Sequence, residues 1–173
     1  MPARFDLEPE VAADGRFVRR ESRFRRWVTA GGDSGFPLQA GRYHLYVSLA
    51  CPWSHRAVIV RAVQGLEHAV GISYAAPFRD ERGWAFTGEP FEEPDSGPSG
   101  SYVDRANGFA FLAEAYRATD PGFDGRATVP VLWDSQMGRI VSNESADIVR
   151  MFSVVFAPLA EHYVDLYPVA LRP

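Results

Sequence analysis

Residues 43–48, rich in aromatic and β-branched side chains, lead into Cys51-Pro52, a helix-periodic stretch at 53–63 and a second apolar run at 70–75. In the stretch, Ala57, Val58, Ala62 and Val63 recur at helical spacing, and Gly65 is placed to end the helix. Two strands joined by a helical crossover must pair in parallel, so the segment predicts a βαβ unit. Pro52 suits the first helical turn, where its missing N–H costs nothing. Cys51 is then the residue at the helix N-terminus.

That position has chemical consequences. Unpaired N–H groups and the helix dipole favour negative charge there, so thiolate is favoured over thiol. Arg56 adds a cation nearby in sequence, as does His55 when protonated. The competing reading is that Cys51 is a small buried apolar residue, as lone free cysteines commonly are. Dithiol motifs carry a second cysteine three residues on, whereas here that residue is Ser54. No internal disulfide can form, and an oxidised intermediate must be a mixed disulfide with an outside thiol such as glutathione.

Residues 77–101 form a polar, Pro- and Gly-rich connection with little periodicity, and long loops of this kind are usually functional. Inside it Trp84 is either a loop anchor or one wall of a ligand site. A helix is expected over 107–118, with Phe109, Leu112, Ala113 and Tyr116 on one face. Strands follow at 131–133 and 139–141, turned by Gly138 into an antiparallel hairpin. Pro130 opens the first of them, either as an ordinary edge proline or as a cis bond that shapes a site. Ser142-Asn-Glu144-Ser145 begins the last helix, with Asn143 or Ser142 as cap and Glu144 in the first turn. Glu144 and Ser145 either only support that start, or anchor the amino and carboxylate groups of a small molecule.

The order βαβ, α, ββα is that of the thioredoxin-like α/β fold, here with an N-terminal arm and a long inserted loop. In that fold the thiol, the loop before the proline and the start of the last helix converge on one cleft. The length and 46% hydrophobic content allow one well-cored domain. A single cysteine excludes a disulfide framework and suits a reducing, cytoplasmic compartment, and no apolar run is long enough to span a bilayer. One cysteine and four histidines offer no ligand-spaced pair, so no metal site is expected. Residues 16–26 hold six arginines interleaved with aromatics, a pattern that can bind nucleic acid. With a net charge of −4 and 22 acidic residues, the favoured reading is instead an arm whose aromatics pack on the domain while its arginines face solvent or pair with acids.

Leu45-Tyr-Val-Ser-Leu-Ala-Cys51-Pro-Trp-Ser-His-Arg56, Gly83-Trp84, Gly125-Arg-Ala-Thr-Val-Pro-Val-Leu-Trp-Asp134, Ile140-Val-Ser-Asn-Glu-Ser145 and Asp165-Leu-Tyr-Pro168 together resemble the glutathionyl-hydroquinone reductases, the Xi class of glutathione transferases. The resemblance covers nearly the whole chain. It implies that Cys51 is a nucleophile that takes glutathione from a glutathionyl-hydroquinone as a mixed disulfide, which a second glutathione resolves. Glutathione is thus a co-substrate rather than a resident cofactor. Trp84 matches the aromatic that packs on glutathione. Arg126, Ala127, Thr128 and Val129 match the segment before the cis-proline, Pro130, with the Val129 backbone pairing with the tripeptide. Glu144 and Ser145 match the γ-glutamyl anchor, and Pro52 and Pro130 support the site. The rival readings are a glutaredoxin-like monothiol deglutathionylase and a non-catalytic glutathione- or protein-binding module.

Domain organisation follows from the same resemblance: an arm at 1–40, a glutathione-binding domain at 41–157, and a linker at 158–173. Members of the class continue into an all-helical domain that supplies hydroquinone-binding tyrosines and much of a homodimer interface. Because this chain stops at Pro173, the expectation is a glutathione half-site with weak or no reductase turnover. An apolar face exposed on the last helix, around Ile148, Met151 and Phe152, is expected to promote association.

Overall fold

The structure, a computed structural model, describes residues 13–16, 21–92 and 99–172. Phe17, Arg19 and Arg20 of the basic stretch and residues 93–98 of the long connection lie outside them. The chain begins its sheet with β1 (Tyr43–Val47), crosses through α1 (Pro52–Val63) and returns in β2 (Val70–Tyr74), parallel to β1 with Tyr43 opposite Val70. Gly65, at φ +62°, follows the α1 cap, Gln64, and ends the helix as its sequence position predicts. Further on come α2 (Leu112–Thr119) and a hairpin of β7 (Val131–Asp134) and β8 (Arg139–Ser142), then α3 (Ser145–Arg150). The sheet order is β2-β1-β7-β8, with β7 antiparallel to β1, and the fold is thioredoxin-like.

Both faces of β1 are covered, which is why all five of its residues are buried and only His44 among them is polar. Tyr43, Leu45 and Val47 pack under α1 and α3 with Ala57, Leu132, Ile148 and Phe152. Tyr46 faces the other layer, with Leu112, Tyr116, Val131, Trp133 and Ile140.

Three expectations change. The helix predicted over 107–118 starts only at Leu112, because the buried Asp104 carboxylate gathers the N–H groups of Ala106, Asn107 and Phe109 at 2.8–3.3 Å into a turn. Glu114 then accepts from the Phe111 N–H at 2.9 Å and starts the helix there. The long connection is not structureless. It holds two short hairpins, β3 (Arg79–Asp80) with β4 (Gly83–Trp84) and β5 (Pro90–Glu92) with β6 (Ser99–Ser101). Strands of two or three residues leave no periodicity to read. Finally, Ile148, Met151 and Phe152 are fully buried rather than exposed. After Arg150 the helix tightens its grip on the core through a π-helical turn (Met151–Val155), and the arm covers it: Val28 and Phe36 join the same cluster, and the Val28 N–H lies 3.2 Å from the Met151 sulfur.

From Ser22 onward the arm is tied to the domain, beginning with the Ser22 hydroxyl on the Glu144 carboxylate at 2.9 Å. Arg26 N–H donates to the Val141 carbonyl at 3.0 Å, extending the β8 edge. Arg25 grips Asp147 through two bonds of 2.8 and 3.0 Å, and Arg23 pairs with Asp120 at 2.8 Å and Asp124 at 3.2 Å. These arginines are engaged by carboxylates of the domain itself, as the acidic balance of the chain suggests.

His44 gives the fold a pH dependence. Its ring is buried over Gly71, its β2 partner, where a Cβ would come within 2.5 Å of Nδ1, so only glycine fits there. Nε2 lies 2.7 Å from the Ser73 hydroxyl. Burial, aided by Arg61 and Arg105 against the pull of Asp104, pushes the ring down from its ordinary 6.5 to about 4. Between these values the unfolded chain binds a proton that the folded chain refuses. Stability fully present above pH 6.5 is therefore lost as pH falls toward 4, by about 3 kcal/mol from this group. Urea denaturation at pH 7 and pH 4.5 measures the loss, and His44→Gln is expected to flatten it. An equal loss in both chains would rule His44 out as the cause.

Candidate functional site

Cys51 is the N-cap of α1, extended at φ −109° and ψ 114°, and Pro52 occupies the first turn as the sequence predicts. The loop before it is fastened at several points. Cys51 N–H donates to the Ser48 carbonyl at 3.0 Å, the Ser54 hydroxyl accepts from the Ser48 N–H at 3.4 Å, and the His55 ring nitrogen meets the Leu49 carbonyl at 2.6 Å. The half-buried thiol lies 3.7 Å from the Val129 carbonyl, toward which it can donate. The Val129–Pro130 bond is cis, one of the two alternatives the sequence left open.

The segment across from the thiol is held from behind. Thr128 N–H donates to the Tyr116 hydroxyl at 3.1 Å, and that hydroxyl donates to the Thr128 carbonyl at 2.8 Å. Burial pushes the Tyr116 phenol up to about 12, so it stays a donor at neutral pH. Ala127 is buried in the core layer beside it and Arg126 is half-buried. The Val129 N–H makes no hydrogen bond among the described residues, which leaves a backbone donor next to the thiol. An unpaired backbone donor of this kind is what a peptide-like ligand uses when it adds to a backbone edge, although Val129 itself is buried.

At the third corner Glu144 is the N-cap of α3, accepting from the Ala146 N–H at 3.2 Å and from the Ser22 hydroxyl at 2.9 Å. The sequence had placed the cap at Asn143 or Ser142. Asn143 instead turns away to the arm and to Thr128. Arg56, 89 residues before Ser145 in sequence but facing α3 in space, donates to the Ser145 hydroxyl, sits 3.7 Å from the Glu144 carboxylate and stacks on Trp53 at 4.9 Å. It links the thiol helix to the α3 start, a role its position near Cys51 did not disclose. A polar side chain five residues beyond the thiol, on the helix flank, was the only signal.

Trp84 is buried on β4 in the apolar layer that Cys51 also borders, under the Arg79 guanidinium at 4.9 Å. Its indole N–H has no hydrogen-bond partner among the described residues. Thus Cys51 meets Val129 directly, Arg56 ties α1 to Glu144 and Ser145, and Trp84 shares only the apolar layer with Cys51 and Val129. Among the described residues no cluster of three or more His, Cys, Asp or Glu side chains is arranged to hold a metal ion.

The assembled geometry is a thiol at a helix N-terminus, a backbone edge before a cis-proline, and a second helix start with a carboxylate and a hydroxyl. Known proteins match the chain over most of its length. It is 45% identical over 164 residues to the glutathionyl-hydroquinone reductase YqjG of Escherichia coli, covering 91% of this chain and 48% of that protein. It is 40% identical over 162 residues to the glutathionyl-hydroquinone reductase PcpF of Sphingobium chlorophenolicum, covering 94% of this chain and 48% of that one. Among solved structures, the Xi glutathione transferase of Phanerochaete chrysosporium superposes with a TM-score of 0.77 at 41% identity, over 89% of this chain and 50% of that chain. Glutathione-bound YqjG superposes at 0.75 with 44% identity, over 86% and 48%. The chain spans about half the length of the curated relatives it matches. With residues 50–153 matching the glutathione S-transferase N-terminal domain, the chain belongs to that family.

Proposed function

We propose that the chain binds glutathione and serves a glutathionyl-hydroquinone reductase, with Cys51 as the nucleophile. The observation that carries the reading is the Cys51 sulfur at the α1 N-terminus, 3.7 Å from the Val129 carbonyl and beside an unengaged Val129 N–H. Glutathione pairs its cysteinyl backbone with Val129, which brings its sulfur to the thiol. Glu144 takes the γ-glutamyl ammonium, Ser145 and the α3 start take its carboxylate, and Trp84 and the 126–128 segment close the site. Pro52 and Pro130 hold the two loops in shape. Residues 41–157 form the glutathione-binding domain, 1–40 its arm and 158–173 a linker. A lone working thiol fits a reducing, cytoplasmic setting.

In the first step the Cys51 thiolate attacks the sulfur of a glutathionyl-hydroquinone. The S–S bond forms as the aryl C–S bond breaks, and the aryl carbon takes a proton and leaves as hydroquinone. A glutathione thiolate then attacks the Cys51 disulfide, releasing oxidised glutathione and restoring the Cys51 thiolate. Two glutathionyl sulfurs are oxidised and one aryl carbon is reduced, so the electrons balance.

Intact-mass spectrometry after adding a glutathionyl-hydroquinone is expected to find one glutathione on Cys51, with free hydroquinone in equal amount. Reduction of a glutathionylated peptide without hydroquinone release would assign the chain to monothiol deglutathionylation instead. Saturable glutathione binding with neither reaction would make it a non-catalytic module.

A further inference from the structure

Asn143 is buried just before the cap of α3, and both ends of its side-chain amide are in use. Oδ1 accepts from the Phe24 N–H at 3.0 Å, and Nδ2 donates to the Thr128 hydroxyl at 3.1 Å. Its backbone N–H also donates to the Phe24 carbonyl at 2.9 Å. One residue therefore joins the arm, the approach to α3 and the loop before the cis-proline. Buried amides with fixed partners on both sides hold those partners in one geometry. Thr128 precedes Val129, so whatever fixes Thr128 sets the direction of the Val129 N–H. On the far side the arm is itself immobilised by Arg25 on Asp147 and by the packing of Phe24 on Tyr116 at 5.7 Å.

We propose that Asn143 is a positioning residue for glutathione, holding the 126–129 loop against the arm so that the Val129 backbone is presented to the tripeptide. The inference rests on the glutathione reading above and extends it to a residue outside the ligand's reach. Its effect falls on the capture of glutathione, and the intrinsic reactivity of the thiol is left alone.

The test uses the full chain and follows Cys51 modification by intact mass at increasing oxidised glutathione, with iodoacetamide as a small reagent that needs no glutathione site. Asn143→Ala is expected to raise half-saturation by about tenfold while the limiting rate and the iodoacetamide rate stay within about twofold. Asn143→Asp retains an acceptor for Phe24 and can accept from the Thr128 hydroxyl, and is expected to recover most of the loss. Asn143→Leu removes both side-chain hydrogen bonds in a side chain of nearly the same volume. It is expected to match Asn143→Ala, and it carries the test alone if the alanine chain does not melt cooperatively. Unchanged half-saturation in these variants, or equal slowing of both reagents, overturns the proposal. A wild-type chain that takes no glutathione at all overturns the parent reading and this one with it, whereas saturable wild-type uptake with an indifferent Asn143→Ala overturns this one alone.

Discussion

The Cys51→Ser chain is expected to take up no glutathione and to lose whatever hydroquinone release the chain has by more than about a hundredfold, well inside the losses of up to about a millionfold that removing a covalent nucleophile causes. The reason is specific to this sequence. Cys51 is its only cysteine, so no second thiol can take over the mixed disulfide. A serine hydroxyl placed in the same electrostatic setting is not ionised near neutral pH, and an oxygen cannot form the S–S bond on which the second half of the reaction depends. The fold should not register the change. The sulfur is half-buried, and its one polar contact among the described residues is the Val129 carbonyl at 3.7 Å, which a hydroxyl can also meet. Thermal melting within a few degrees of wild type, together with complete loss of the adduct by intact mass, is the expected pair of results. Hydroquinone release retained above about one-hundredth of wild type would remove Cys51 from the chemistry. It would leave the N-terminus of α1 with a structural thiol.

What the sequence disclosed, it disclosed through local pattern. The unit from Tyr43 to Tyr74 was legible because Pro52 and Gly65 punctuate a helix between two apolar runs, and each signal acts within a few residues of its effect. The start of α2 was not legible, since it depends on one carboxylate, Asp104, collecting amides that would otherwise have begun a helix. The cap of α3 shows the same limit. Ser142, Asn143 and Glu144 can all cap, but the Ser142 hydroxyl accepts from the Glu144 N–H at 3.1 Å and the Asn143 amide is held by Phe24 and Thr128, which leaves the task to Glu144. Ile148, Met151 and Phe152 form an apolar face by pattern, but what covers it comes from an arm more than a hundred residues earlier. At the site, Cys51 at a helix start was readable from spacing. Its approach to Val129 was readable only through the fold, in which the thiol and the loop before the proline share a cleft, and the link from Arg56 to Ser145 was not readable, because it joins segments far apart in the chain.

Removing the Asp134 carboxylate is the change expected to cost the fold most. Asp134 ends β7, is fully buried and accepts from Arg42 Nε at 2.9 Å and Nη2 at 2.6 Å on one oxygen. Its other oxygen accepts the N–H groups of Gln136 and Met137 at 2.9 and 3.1 Å, which closes the turn into β8. Because Tyr43 lies opposite Asp134 in the ladder, this one side chain joins the hairpin turn to the entry of the central strand. Asp134→Ala strands a buried guanidinium and two turn amides together. Breaking a buried pair from one side costs about 3–5 kcal/mol, roughly 10 °C of melting temperature in a chain of this length. Arg42→Met is expected to cost less, because the two backbone amides still solvate the remaining carboxylate. The double variant Arg42→Met with Asp134→Ala should be milder than the sum of the two single changes, since no unpaired charge remains. Urea denaturation of the four chains at pH 7 measures each term. A loss below about 1 kcal/mol in Asp134→Ala, the range of an exposed pair, would mean that water reaches the guanidinium and that the turn is held by its backbone alone.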